Sequence, residues 1–132
     1  MDTDDLRPLV RPGTRVVDAG GDVFALHDPR GDLPPERQIP WATIVTSAAW
    51  DTASDLGRPG VIRLNLGLTR ARYRELDLGT DLTALDVLLP HPEYAGRNWV
   101  CVLNPDTTLP LVRELADVAH AFAVRKHGDA AP

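Results

Sequence analysis

Apolar and polar residues alternate most cleanly over Val61 to Leu68, where Ile62, Leu64 and Leu66 interleave with Val61, Arg63 and Asn65. That period of two predicts a half-buried strand. Arg15 to Ala19 and Val23 to Asp28 read as two further strands, joined at Gly20-Gly21-Asp22 by a hairpin turn, since glycine supplies the positive φ such turns need. Pro40 to Ser47 carries a β-branched run, Thr43, Ile44, Val45 and Thr46, and predicts a fourth. The continuous apolar stretch Trp99 to Leu103 suits a central strand.

Helical spacing appears elsewhere. A short helix is expected within Met1 to Arg11, capped by Asp2 or Thr3, and another from Thr69, as cap, to Leu76. Leu82, Leu85, Leu88 and Leu89 predict a third over 81–89, stopped by Pro90. The last begins at Thr108, tolerates Pro110 in its first turn, and presents Leu111, Leu115, Val118 and Phe122 as one stripe. Arg125, Lys126 and His127 complement the negative end of its dipole, and Gly128 is expected to end it. Pro29 to Pro40 and Ala48 to Gly60 read as loops. The order predicts an α+β fold: a single domain over 1–128, with a twisted, mainly antiparallel sheet and helices packed on one face, and a frayed tail over 129–132.

Strand alternation divides this sheet into two faces. One set is uniformly apolar: Phe24 and Leu26, Ala42 and Ile44, Ile62, Leu64 and Leu66, Val100 and Val102. It belongs under the helices. The other set is Val23, Ala25 and His27, Trp41, Thr43 and Val45, Val61, Arg63 and Asn65, Trp99, Cys101 and Leu103. Aromatic walls with a few polar groups are what a small-molecule site needs. A merely solvated second face is the plainer reading. The candidate ligand-binding set is Trp41 and Trp99 as walls, Arg63 and Asn65 as anchors, and His27 and His91 at the edge.

Composition narrows the partners. The 132 residues carry a formal net charge of −5, and Lys126 is the only lysine. Nucleic-acid binding draws on Lys and Arg to displace counterions, so no nucleic-acid partner is expected, nor an anionic membrane surface. A single cysteine, Cys101, excludes an internal disulfide and fits a reducing, cytoplasmic setting. No apolar run approaches the roughly 18 residues of a membrane helix, and the acidic start shows no signal peptide.

No nucleotide, serine-hydrolase, zinc or redox motif is present, so no cofactor and no metal site is expected. His27-Asp28 reads as turn chemistry, because neighbours on a strand point to opposite faces and cannot chelate. His91-Pro92-Glu93-Tyr94 could supply an acid/base pair, or simply a loop whose path Pro90 and Pro92 set. Cys101 could be a nucleophile if Arg63 or His27 made its setting electropositive; an inert buried thiol is the commoner case. His120 and His127, two turns apart, read as surface residues, and Asp51, Ser54 and Asp55 as loop-capping groups.

The stretch from His91-Pro92-x-Tyr94 to Trp99-Val100, followed by a terminal helix, resembles the MmcQ/YjbR-like group, whose fold is similar to CyaY. Pro-Trp-Ala-Thr-Ile-Val-Thr at 40–46, Arg-Pro-Gly-Val-Ile-Arg-Leu-Asn at 58–65, and the segment from His91 to Asn104-Pro105 look more closely like a bacterial family of unknown function. The resemblance, spanning about Phe24 to Ala119, implies helices around a twisted antiparallel sheet. For the MmcQ/YjbR-like group it implies DNA binding, or a place among antibiotic-producing or resistance genes. The residues favour a small-molecule binding or accessory protein of secondary metabolism. The rivals are an enzyme using the same cavity, a DNA-binding regulator, and a protein–protein module that forms a homodimer.

Overall fold

In the computed structural model, residues 1–9, 11–49 and 52–130 are described. Six strands form one sheet in the order β1-β2-β3-β4-β6-β5, every neighbouring pair antiparallel. They are β1 (Thr14–Ala19), β2 (Asp22–His27), β3 (Ala42–Val45), β4 (Arg63–Gly67), β5 (Leu88–Pro90) and β6 (Trp99–Leu103). Two α-helices, α1 (Arg70–Arg74) and α2 (Leu109–Ala130), complete the α+β domain. At the start, Asp2 accepts the N–H groups of Asp4 and Asp5 and begins a 3-10 turn, Thr3–Leu9, that delivers Leu6 to the core.

The β1–β2 hairpin turns at Gly20 and Gly21, with φ of +61° and +90°. Its register pairs Ala19 with Asp22 and Val16 with Ala25. Asp22 is buried and accepts both the N–H and the hydroxyl of Thr46, tying the hairpin to the end of β3. This register phases β2. Val23 and Ala25 join Ala42, Ile44, Leu64, Leu66, Val100 and Val102 in the core. Phe24 shares the opposite face with its partner Thr43. The expected assignment of β2 is therefore reversed by one residue. Both of its faces are apolar, so alternation alone could not choose, and a slip of one exchanges every side chain.

The core lies between the sheet and α2. Val112, Leu115, Ala116 and Ala119 are its buried helix positions, a stripe rotated from the expected one. Leu111 and Val118 only flank it. Small residues at 116 and 119 let the helix approach the sheet closely, which a count of large apolar side chains overlooks. The helix also runs through Gly128 to Ala130, beyond its expected end. Of the expected tail, residues 131 and 132 lie outside the described residues.

The helix expected over 81–89 does not form. Asp81 accepts the N–H and hydroxyl of Thr83 in a local turn, and Asp86 takes φ +55°. The leucines then serve a strand: Leu88 and Leu89 face opposite sides of edge strand β5, and both are buried. Sequence spacing suits either period over so short a run. Asp86 gains another role. It accepts from the hydroxyls of Thr107 and Thr108 and from the N–H groups of Asp106, Thr107 and Thr108, fastening the segment that leads into α2.

Candidate functional site

On the sheet face away from α2, one end is covered by Ser54, Leu56 and Val61. Leu56 and Val61 pack with Val45 and Leu103, and Ser54 accepts a hydrogen bond from Arg63 Nη1 at 2.9 Å. The other end stays open as a cavity of about 490 Å³. A volume in the range of roughly 300–1,000 Å³ suits a small organic ligand. The floor is formed by Phe24, Thr43, Val45, Arg63 and Asn65 from β2, β3 and β4. Trp99, with His91, Glu93, Tyr94 and Arg97 from the β5–β6 connection, forms one wall, and Ile39 and Pro40 form the other. Ile39 and Tyr94 are the most exposed large hydrophobic side chains among the described residues, and both stand at this cavity.

Asn65 is 2 % exposed. Its Nδ2 donates to Thr43 Oγ1 at 2.8 Å, while Oδ1 has no hydrogen-bond partner among the described residues. An unsatisfied buried acceptor costs about 1–3 kcal/mol, so this oxygen is open to a donor beyond the described residues, water included. Arg63, 1 % exposed, brings a guanidinium to the same floor.

Trp99 takes its place from a glycine. It pairs with Gly67 across β4 and β6, and a Cβ at residue 67 would stand 2.7 Å from the indole carbons. The ring lies against backbone that only glycine leaves bare. His91 is held differently. Its Nδ1 accepts the N–H groups of Glu93 and Tyr94 at 3.0 and 3.1 Å, which fixes the tautomer with the proton on Nε2. The ring sits against Tyr94 at 4.9 Å and Trp99 at 6.3 Å. So arranged, His91 is a hydrogen-bond donor and a brace for the aromatic wall; its basic nitrogen is already committed to backbone.

Four of the six expected site residues, Arg63, Asn65, Trp99 and His91, come together. Trp41 and His27 do not. The backbone bends at Trp41, directly after Pro40, and sends the indole to the helix side, against His120 at 5.4 Å. His27 follows the reversed phase of β2 and meets His120 and His127 of α2 at 5.5 and 5.1 Å. Those two histidines therefore belong to a cluster with His27. Phe24 reached the cavity floor by the same reversal, and Arg97 sits in a connection without periodicity, so neither carried a signal in the sequence.

The remaining candidates resolve into structure. Asp28 accepts from Arg15 Nε and Leu33 N. Burial pushes its carboxyl upward, but these bonds outweigh burial and hold it below the usual carboxylate range. Cys101 is buried, its Sγ 3.6 Å from the Pro90 carbonyl. Asp55 reaches Arg58, while Asp51 lies outside the described residues. Among the described residues, no group of three metal-ligating side chains could hold an ion, and no helix is long and apolar enough to cross a membrane.

No curated protein and no solved structure matches the chain. A family profile, described as a family of unknown function (DUF6194), matches residues 1–131. The chain belongs to that family.

Proposed function

We propose that the protein binds a small organic molecule in the cavity over β3, β4 and β6, as a sequestering or accessory protein. The carrying observation is Asn65: a buried amide on the floor of a 490 Å³ cavity, with an acceptor oxygen that no described residue satisfies. Phe24, Tyr94 and Trp99 offer flat apolar surface, and Arg63 and Arg97 offer donors. The ligand that complements this lining is largely apolar and planar, with an N–H or O–H group for Asn65 and an acceptor for a guanidinium.

Binding is better supported than catalysis. His91 Nδ1 is occupied by two backbone donors, and Cys101 is buried in the sheet. Neither is arranged as a base or an attacking nucleophile. The acidic balance of the chain favours a small molecule over DNA.

Tryptophan emission titrated with a panel of aromatic amides, phenols and heterocyclic acids tests the reading. At least one compound should change it saturably in the wild type and in Trp41→Phe, and should lose the effect in Trp99→Phe. A panel that leaves emission unchanged throughout, or a response that survives in Trp99→Phe, contradicts the proposal.

A further inference from the structure

A second concavity, of about 360 Å³, opens on the other side of Trp99, between the sheet end and the C-terminal half of α2. Among the described residues, its walls gather Arg37, Arg97 and Lys126 against one carboxylate, Glu36, and add the imidazoles of His27 and His127. In a chain of net charge −5 that possesses a single lysine, this is a local reversal of sign.

Complementing the dipole of α2 accounts for Lys126 and His127 alone. It does not account for Arg37, Arg97 and His27, which arrive from the 3-10 turns Pro35–Arg37 and Ala95–Arg97 and from β2. Several of these groups are held in place. Arg37 Nη2 donates to the carbonyl of His127, the Lys126 ammonium sits 4.1 Å over the Phe122 ring, and His27 lies 5.1 Å from His127. Trp41, also on this wall and buried, keeps an indole N–H with no acceptor among the described residues.

We propose that this groove binds the anionic group, phosphate or carboxylate, of a small molecule, with Arg37, Arg97 and Lys126 as fixed charges and His27 and His127 as imidazole donors. Convergent donors from separate elements, clustered beside apolar surface, are what such recognition uses. The assignment rests on observations separate from those behind the cavity reading, although Ile39, Pro40, Arg97 and Trp99 border both spaces.

The groove also carries its own reporter. Burial, then the like charges of His127 and His120, lower the His27 imidazole, against an upward pull from Asp28. His120 and His127 of α2 and its neighbour Asp28, which Arg15 engages, act on it directly, and the same groove wall carries Lys126 from α2, Glu36 and Arg37 from the 3-10 turn, and Arg97 from beyond β5. A bound anion offsets the repulsion that lowers His27, so it raises the His27 midpoint.

The experiment is an NMR titration of the histidine side chains at constant ionic strength, in chloride alone, with inorganic phosphate, and with acetate. The His27 midpoint should rise with phosphate, identifying a phosphate site, or with acetate, identifying a carboxylate site. Arg37→Ala and Lys126→Ala should each weaken the effective anion roughly tenfold. Arg74→Ala, which removes an exposed cation that is not on the groove wall, should leave the response intact. A His27 midpoint indifferent to both anions, or a loss in Arg74→Ala equal to that in Lys126→Ala, overturns the assignment.

Discussion

Asn65 and Gly67 stand two positions apart on β4, and each answers to a physical demand that can be tested by substitution. Asn65→Leu removes an acceptor with no partner among the described residues, so stability should hold or rise by up to about 1 kcal/mol while the proposed cavity binding is lost. A urea melt paired with the ligand titration checks this; a large loss of stability would make Asn65 a structural residue. Gly67→Ala has the opposite signature. Its methyl would meet the Trp99 ring at 2.7 Å, and relieving that overlap should cost about 1–3 kcal/mol and shift tryptophan emission. At this scale the sequence was readable where neighbours on one strand shared a face: Arg63 and Asn65 fell together as alternation required. It was unreadable at Trp41, where a bend after Pro40 overrides alternation, and at His27, whose strand is apolar on both faces.

Among the elements, the segment Asp81 to Pro90 departs furthest from its pattern. Its leucines fit a helix, but Asp86, at φ +55°, is committed to the residues that start α2, and Leu88 and Leu89 to an edge strand. Long-range pairing with β6 decided between two locally acceptable periods. Trp99–Leu103, whose continuous apolar content leaves one reading, formed as expected. Burial raises the Asp86 carboxyl, but hydrogen bonds from Thr107, Thr108 and nearby backbone N–H groups outweigh it and hold the group far below the ordinary carboxylate range. A depressed folded value means stability that is present at neutral pH and lost as pH falls. Asp86→Asn keeps a residue that tolerates positive φ but loses the charge. It should lower stability by about 1–2 kcal/mol at neutral pH and flatten the acid limb of the stability curve, measured by denaturant unfolding across pH.

For the molecule as a whole, two recesses meet at one sheet end, where Trp99 lies across Gly67 with the aromatic cavity on one side and the basic groove on the other. The histidine cluster gives that end a pH dependence of its own. Because the folded His27 value lies below its ordinary 6.5, the unfolded chain takes up more protons as pH falls from 6.5 toward the folded value, and stability should decline across that window. His27→Gln should remove much of this slope, which unfolding between pH 5 and 8 would reveal as a flatter curve. The α+β class, the antiparallel sheet and the terminal helix were all legible, because they rest on periodicity over whole elements. The second recess was not, since its cations come from unconnected turns and only the folded chain brings them together.

The central claim, a ligand cavity built on Asn65 and Arg63, is tested most directly by mapping fragment binding on amide and side-chain NMR spectra. The predicted result is a saturable perturbation confined to Phe24, Thr43, Arg63, Asn65, His91, Tyr94 and Trp99, abolished by Asn65→Leu in a chain that remains folded. Fragments that perturb none of these resonances, or that bind Asn65→Leu as tightly as the wild type, would contradict it.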